Sequence, residues 1–381
     1  MPPARSDGAL YLDKPEQVDR FLNQISGVKE LALDTEGASF HRFLDRIYLL
    51  QLSTREQSAI IDPLPIGSPA GLGELLQNKS VEVVFHDADY DLRLLHQDYA
   101  WHVTNIFDTR IASQLLGIKS FGLAALLEQF FDVKLDKKHQ RADWSMRPLT
   151  PDMLEYAAQD TRYLLQLKDH MKGELTRRGR LRWAEEEFAR LEGTRWEAEE
   201  SMEGFLRLKG ARDLSRRELA VLREVANWRD TVAAELDRAT FRVMGNEVLL
   251  ELARKASRSV SELSAIKGMP KGMIDRGGSD IVGAIRRGME APEAELPKFP
   301  KGQRWNKDRD FDDKVTRLKA VRDAAATRLE LDPGVLCSRE RLENVARSGA
   351  KTVDDLAAVP ELRRWQIEEM GQGFIRALSS G

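Results

Sequence analysis

Cysteine is nearly absent: the chain of 381 residues has one, Cys337. A disulfide framework within the chain is therefore excluded, as is a zinc site built on several thiolates. Cys337 itself is expected to be an inert small residue. Long apolar runs are missing too. Nothing approaches the ~18 consecutive apolar residues that a membrane span needs, so no membrane contact is expected. The first residues, Met-Pro-Pro-Ala-Arg-Ser-Asp-Gly, lack the apolar stretch of a secretion signal, and a cytoplasmic protein is expected. A dominant charge is lacking as well. Lys and Arg total 59, Asp and Glu 62, and the formal net charge is −3. Whole-chain charge therefore does not mark a nucleic-acid binder, and local charge has to be read instead. Histidines number only six and are scattered, which argues against a phosphohydrolase of several metal-bound histidines, although His86-Asp87 has the start of such a motif. No Gly-x-x-x-x-Gly-Lys-Ser/Thr phosphate loop occurs, so an ATP-driven motor is not expected.

What is present is an ordinary globular balance, 42% hydrophobic and 32% charged, with length for two or three domains. The first half reads as α/β. Leu31-Ala32-Leu33 leads into Asp34 as a buried strand, followed by strands over Ile47 to Leu52, Ser58 to Ile61 and Val81 to Phe85, with Asp62-Pro63 ending the third. Helical spacing follows at Leu92, Leu94 and Leu95, at Ile111, Leu115 and Leu116, and at Leu123, Leu126, Leu127 and Phe130. Thr150-Pro151 is an N-cap with proline at the first helical position, and its helix is expected to run through Tyr156, Asp160 and Leu164. Strands first, then helices, predicts a mixed sheet flanked by helices.

After about residue 180 only helices are expected. Glu185 to Glu203 is rich in glutamate and reads as a solvated connector helix. Beyond it lies a weak internal repeat at an offset of 93: Arg229-Asp230 with Arg322-Asp323, Ala253-Arg254 with Ala346-Arg347, Val260 with Val353, and Leu263 with Leu356. A fixed offset points to duplicated modules. Between the copies, Ala291 to Asn306 carries Pro292, Pro297 and Pro300 among charges, a linker composition. The expected organisation is an exonuclease-like α/β domain over 1–180, a connector over 181–205, helical modules over 206–291 and 307–381, and a linker over 292–306.

Three local signals carry chemistry jointly. Asp34-Thr35-Glu36 puts two carboxylates on one face of a strand end, hard oxygen ligands of the kind Mg²⁺ prefers. His86-Asp87-Ala88-Asp89-Tyr90-Asp91-Leu92 offers three aspartates where a strand turns into a helix, and capping accounts for at least one of Asp87 and Asp89. Tyr156-Ala157-Ala158-Gln159-Asp160 puts a phenol and a carboxylate on one helix face. Each alone is weak, since acids are common at strand ends and on helix surfaces.

In order they read Asp-x-Glu, Asp, Tyr-x-x-x-Asp, which resembles the tyrosine branch of the exonuclease superfamily named for its four acids, Asp-Glu-Asp-Asp. Phe107-Asp108-Thr109, Leu115-Leu116-Gly117, Leu135-Asp136-Lys137, Asp143-Trp144 with Arg147-Pro148-Leu149, and the run from Tyr156 to Leu165 are similar to the ribonuclease D family. The helical modules resemble the HRDC domains shared with RecQ-type helicases, with Leu206 to Ala291 the better match. The resemblance implies a ribonuclease H-like sheet domain followed by two all-α modules. It implies a 3′→5′ exoribonuclease releasing nucleoside 5′-monophosphates, acting on the 3′ ends of tRNA precursors and other stable RNAs. It also implies two divalent ions, Mg²⁺ or Mn²⁺, held by Asp34, Glu36, Asp91 and Asp160, with Tyr156 orienting water. Asp91 is preferred over Asp87 and Asp89 because the family's acid precedes an apolar helix residue, here Leu92. His86 is expected to be structural.

RNA contact is expected from basic and aromatic side chains. Residues 206–291 hold 17 Lys/Arg against 12 Asp/Glu, with Arg207, Lys209, Arg212, Arg216, Arg217, Arg286 and Arg287 close in sequence. Lys137, Lys138, His139, Gln140 and Arg141 form a basic loop before Trp144, itself either core or a stacking residue. A DNA exonuclease on the same fold and a non-catalytic RNA-binding scaffold are the alternatives; a scaffold is expected to have lost a ligand, and none is lost here. A monomer is expected. The chemistry lies before residue 165, so a fragment ending near 205 is expected to retain cleavage of short RNA.

Overall fold

The run Leu31-Ala32-Leu33-Asp34 forms a strand with both faces covered. In the computed structural model, β3 spans Glu30–Glu36; Leu31 and Leu33 belong to one apolar cluster with Leu52 and Phe85, while Ala32 joins Val84, Phe107 and Leu126 in another. The structure describes residues 5–6, 8–136, 138–197, 204–299 and 309–379. Lys137, residues 198–203 of the connector and residues 300–306 of the linker lie outside these described residues.

Seven strands make one mixed sheet in the order β1-β2-β5-β4-β3-β6-β7. They are β1 Arg5–Ser6, β2 Ala9–Leu12, β3, β4 Leu49–Ser53, β5 Ser58–Ile61, β6 Glu82–Phe85 and β7 Ile106–Asp108. β4 runs antiparallel to β3 and β5, whereas β6 runs parallel to β3 and β7. The mixed sheet with flanking helices is thus the architecture expected. β4 begins two residues later than the apolar run, at Leu49. The helix opened by Thr150, whose side chain accepts from the Met153 N–H, ends at Arg162. Tyr163 sits at φ −105°, ψ −2° between it and the helix Leu164–Arg177, so Leu164 starts a second helix and does not continue the first.

The chain divides into two compact units. One gathers residues 1–36, 47–196 and 305–381. Within it the glutamate-rich connector is not uniformly solvated. Its helix, Leu181–Leu191, buries Trp183, Ala184 and Phe188. Trp183 stacks on Trp365 with ring centroids 4.8 Å apart. Glu187 accepts from Arg363 Nε at 3.0 Å and Trp365 Nε1 at 3.1 Å, and Arg180 donates to the carbonyls of Leu115 at 2.8 Å and Leu329 at 2.5 Å. Leu126, Met171 and Phe188 share one core with Leu318, Cys337 and Phe374; burial pushes the Cys337 thiol up to about 11, so it is inert. A fragment ending near residue 205 would uncover this core, and the second helical module is therefore needed for the fold of the first domain.

The other unit holds residues 37–46 and 197–304. Its helices Arg216–Glu235, Asn246–Lys255 and Lys271–Glu290 enclose Leu222, Val225, Leu249, Leu252 and Ile281. The first starts with a reciprocal Ser215–Glu218 capping box. Its close approach to the third needs Gly288, where a Cβ would lie 2.4 Å from the Val221 Cα. The 93-residue offset recurs in the helix starts, 246 with 339 and 271 with 364. It recurs also in the paired Arg229–Asp230 and Arg322–Asp323 contacts at 3.0 and 2.9 Å, as duplication requires. Among the described residues no helix is long and apolar enough to cross a membrane.

Candidate active site

Strand alternation sends Asp34 and Glu36 to one face of β3, and the helix Pro151–Arg162 brings Asp160 to them. One carboxylate oxygen from each of Asp34, Glu36 and Asp160 lies within 4.8 Å of the others, and all three residues are partly exposed. Asp91 stands outside this trio but acts electrostatically on Glu36 and is itself acted on by Asp34. It is buried in the first turn of the helix Asp89–Tyr99. Thr35 holds it in place: its backbone N–H and its hydroxyl donate to Asp91 Oδ1 at 3.0 and 2.5 Å. The residue between the two strand carboxylates thus positions a third from its own backbone.

The other two aspartates of the turn have ordinary roles. Asp89 pairs with Arg93 one helical turn on, at 2.8 Å, and Asp87, at φ 72°, pairs with Arg110. Buried Asp108 fixes this turn by accepting from the backbone N–H groups of Ala88, Arg110 and Ile111 at 2.7, 2.8 and 2.9 Å. His86 contacts Thr109 Oγ1 at 2.9 Å; burial lowers its pKa to about 4, so it stays neutral and structural.

Gln51 was not legible as a site residue. Register places it opposite Asp34, it is fully buried, and its Nε2 lies 3.4 Å from Glu36 Oε1. The signal was there: one amide interrupts the apolar run Tyr48-Leu49-Leu50-Gln51-Leu52. Its Oε1 is buried without a protein partner among the described atoms.

Tyr156 is half-buried between Trp144 and His139, each ring centroid 6.0 Å away. Trp144 is 1% exposed and so a core residue, and its loop is fastened by an ion pair the sequence did not reveal. Arg147 donates to buried Asp62 at 2.5 and 2.8 Å, to the Trp144 carbonyl at 2.7 Å and to the Tyr48 carbonyl at 3.0 Å. Lys138 of the basic loop pairs with Asp152 at 3.2 Å. In the first helical module, Arg216 and Arg217 turn to backbone carbonyls. Arg216 reaches Leu296 at 3.1 Å, and Arg217 reaches Met289 at 2.9 Å and Ala291 at 2.5 Å. These two arginines fasten the end of the helix Lys271–Glu290, and the sequence-based list of RNA-contacting cations shortens accordingly.

The acids are crowded enough to oppose ionisation. Burial pushes Asp34 up to about 7. Burial first, then the charges of Asp34, Asp160 and Asp91, raises Glu36; burial and Asp34 raise both Asp91 and Asp160, against the lowering effect of Thr35 on Asp91. Burial and the charges of Asp160, Glu36 and Asp34 also raise the Tyr156 phenol, which is therefore protonated at neutral pH. A set of converging carboxylates with a spare amide oxygen suits a hard divalent cation, which removes the repulsion.

A stability prediction follows for the ion-free protein. The folded chain holds the Asp34 proton to about 7, whereas an unfolded aspartate titrates near ~3.9. Stability in chelator should fall as pH rises between those values and flatten above them, because the folded state binds the extra proton. Millimolar Mg²⁺ should raise the melting temperature most at the alkaline end. Melting curves at a series of pH values, with EDTA and with Mg²⁺, check this; a chelator curve that rises through the same window contradicts the crowded cluster.

Comparison with known proteins agrees with this geometry. A family model described as 3′-5′ exonuclease matches residues 10–176, and an HRDC domain model matches 218–285 and 313–378. A ribonuclease D from Nitrobacter hamburgensis is 30% identical over 359 residues, covering 92% of this chain and 90% of that protein. An exosome complex component 10 homolog from Caenorhabditis elegans is 32% identical over 300 residues, and there the chain spans only 33% of the relative's length. The crystal structure of Escherichia coli RNase D, described as an exoribonuclease involved in structured RNA processing, superposes with a TM-score of 0.74 at 25% identity, covering 97% of this chain and 98% of that one. With the sheet, the acidic cluster and both helical modules in common with these relatives, the chain belongs to the ribonuclease D family and is a 3′-5′ exoribonuclease.

Proposed function

We propose that the chain trims RNA 3′ ends, tRNA precursors among them, with Asp34, Glu36, Asp91 and Asp160 holding two divalent cations, Mg²⁺ or Mn²⁺, and Tyr156 orienting the attacking water. The observation that carries this is the convergence of Asp34, Glu36 and Asp160 oxygens within 4.8 Å. When bound, such ions lower the pKa of water and neutralise the phosphodiester's charge. The chain's own residues do the rest. Gln51 and Thr35 keep Glu36 and Asp91 in place. Tyr156, protonated, directs a hydrogen bond to water and leaves deprotonation to other groups. Trp144 and His139 hold the phenol ring, and the Arg147–Asp62 pair holds the Trp144 loop. Water attacks phosphorus, the 3′-oxygen of the penultimate nucleotide leaves, and a nucleoside 5′-monophosphate is released. In this reading residues 1–180 form the exonuclease domain and 181–205 the connector. Residues 206–291 and 307–381 are HRDC-type modules on either side of the 292–306 linker, the first of them gripping structured RNA.

The test is calorimetric titration of Mg²⁺ and Mn²⁺ into the protein bound to an RNA whose terminal linkage resists hydrolysis, alongside trimming of a tRNA precursor with a few trailing 3′ nucleotides. Two ions per chain and stepwise removal of the trailer are expected. A single ion overturns the two-ion reading, and an untrimmed precursor overturns the substrate assignment.

A further inference from the structure

Large apolar side chains gather at one exposed place in the second unit. Phe40, Phe43, Leu44 and Phe241 are 41%, 42%, 55% and 46% exposed. The first three lie on the segment 37–46, which folds with the first helical module, and Phe241 lies in the turn that follows the helix Arg216–Glu235.

The group is held rigidly. The Phe40 and Phe241 rings are 5.0 Å apart and inclined at 60°. The Arg242 guanidinium lies 5.2 Å from the Phe40 ring centre and 5.8 Å from that of Phe241, while its Nε donates to the Phe40 carbonyl at 2.6 Å. The Ala239 N–H donates to the His41 carbonyl at 3.0 Å. Asp237 accepts from the Phe43 N–H at 3.3 Å and pairs with Arg42 at 3.5 Å. A segment needing burial alone would have turned these rings inward; here backbone hydrogen bonds fix the segment and the ring faces remain accessible. The charges suit a polyanion: Arg42, Arg46, Arg238 and Arg242 outnumber Asp45 and Asp237.

We propose that Phe40, Phe241 and Arg242 form a stacking platform for a base of the single-stranded 3′ segment of RNA, upstream of the scissile bond. The inference rests on the exoribonuclease reading for the identity of the strand. The chemistry is that of sequence-tolerant single-strand binding, in which aromatic faces take bases and an arginine adds a cation–π contact. Chain connectivity makes the segment suited to this task. Gly37 directly follows Glu36, and three further residues keep the Phe40 Cα within ~14 Å of the Glu36 Cα. The segment thus joins a ligand-bearing strand to the platform, and a strand threaded to the carboxylates meets it early.

The test is fluorescence anisotropy with a 5′-labelled 12-nucleotide oligoadenylate, in chelator so that no cleavage occurs, on the full-length protein. Phe241→Ala should weaken binding roughly ten-fold, the loss of about one stacked base. Phe241→Leu preserves apolar packing on Phe40 and should remain equally weak, whereas Phe241→Trp should bind as the wild type does. Wild-type affinity in the alanine or leucine variant overturns the platform, as does failure of tryptophan to restore binding in a variant that melts like the wild type. A wild-type protein with no affinity for the oligomer overturns it too. A wild type that binds the RNA and fails to shorten it in Mg²⁺ refutes the exonuclease reading and leaves the platform standing.

Discussion

Asp34→Asn should reduce RNA hydrolysis about a thousand-fold or more, since the electrostatic stabilisation lost with a metal site is several kcal/mol. The substitution keeps the shape of the side chain and leaves the β3–β4 pairing at Asp34↔Gln51 intact. It removes charge from the carboxylate that acts on each of Glu36, Asp91 and Asp160. Its melting temperature in chelator should be at least that of the wild type, because a repelling charge has gone. Asp89→Asn is the matched control: Asp89 is exposed on the same acidic turn and pairs with Arg93, so its loss should change the rate less than about two-fold. Initial rates on a labelled single-stranded RNA measure both. More than a tenth of wild-type activity in the Asp34 variant would rule out its central place.

Tyr156→Phe should lower turnover by about 10²–10⁴-fold, the range for a group that handles the reacting proton or its water. The phenylalanine ring can keep the contacts to Trp144 and His139, each at 6.0 Å, so RNA and metal affinities should stay within about two-fold. Because burial and three carboxylates raise the phenol's pKa, the wild-type rate should show no step from tyrosine ionisation between about pH 6 and about pH 9. Single-turnover rates and binding of a cleavage-resistant RNA separate the two quantities. Turnover like the wild type, or loss of metal binding, would place the tyrosine in a different role.

Much of the site was readable because its geometry is local. Asp34 and Glu36 share a strand face through a two-residue period, and Tyr156 and Asp160 share a helix face through four, so spacing alone paired them. The partners that hold them are distant in sequence. Thr35 meets Asp91 across 56 residues, and Arg147 meets Asp62 across 85; no periodicity connects such pairs. Strands β3 to β6 were legible as β-branched and apolar runs, although β4 was read from Ile47 and starts at Leu49. β2 and β7, at four and three residues, are too short for a period to emerge, and Phe107-Asp108 was read as a motif flank only. The break at Tyr163 was hidden because apolar spacing continues through Leu164, Leu165 and Leu167. The buried face of the connector helix, Trp183, Ala184 and Phe188, is diluted by four consecutive charge-bearing turns of glutamate and arginine, so composition masked its packing. Exposure of Phe40 and Phe241 depends on tertiary neighbours and is invisible in a sequence, where both read as core.

The central claim is polarity with ion dependence, and one measurement tests it most directly. The same single-stranded RNA is labelled at its 5′ end in one sample and at its 3′ end in another, then incubated with Mg²⁺ or with EDTA. With Mg²⁺ the 5′-labelled strand should shorten one nucleotide at a time, while the 3′ label appears at once as a mononucleotide with a 5′-phosphate; with EDTA both strands should remain whole, and restored Mg²⁺ should restore cleavage. Release of the 5′ label first, internal fragments, or undiminished cleavage in EDTA would contradict the account.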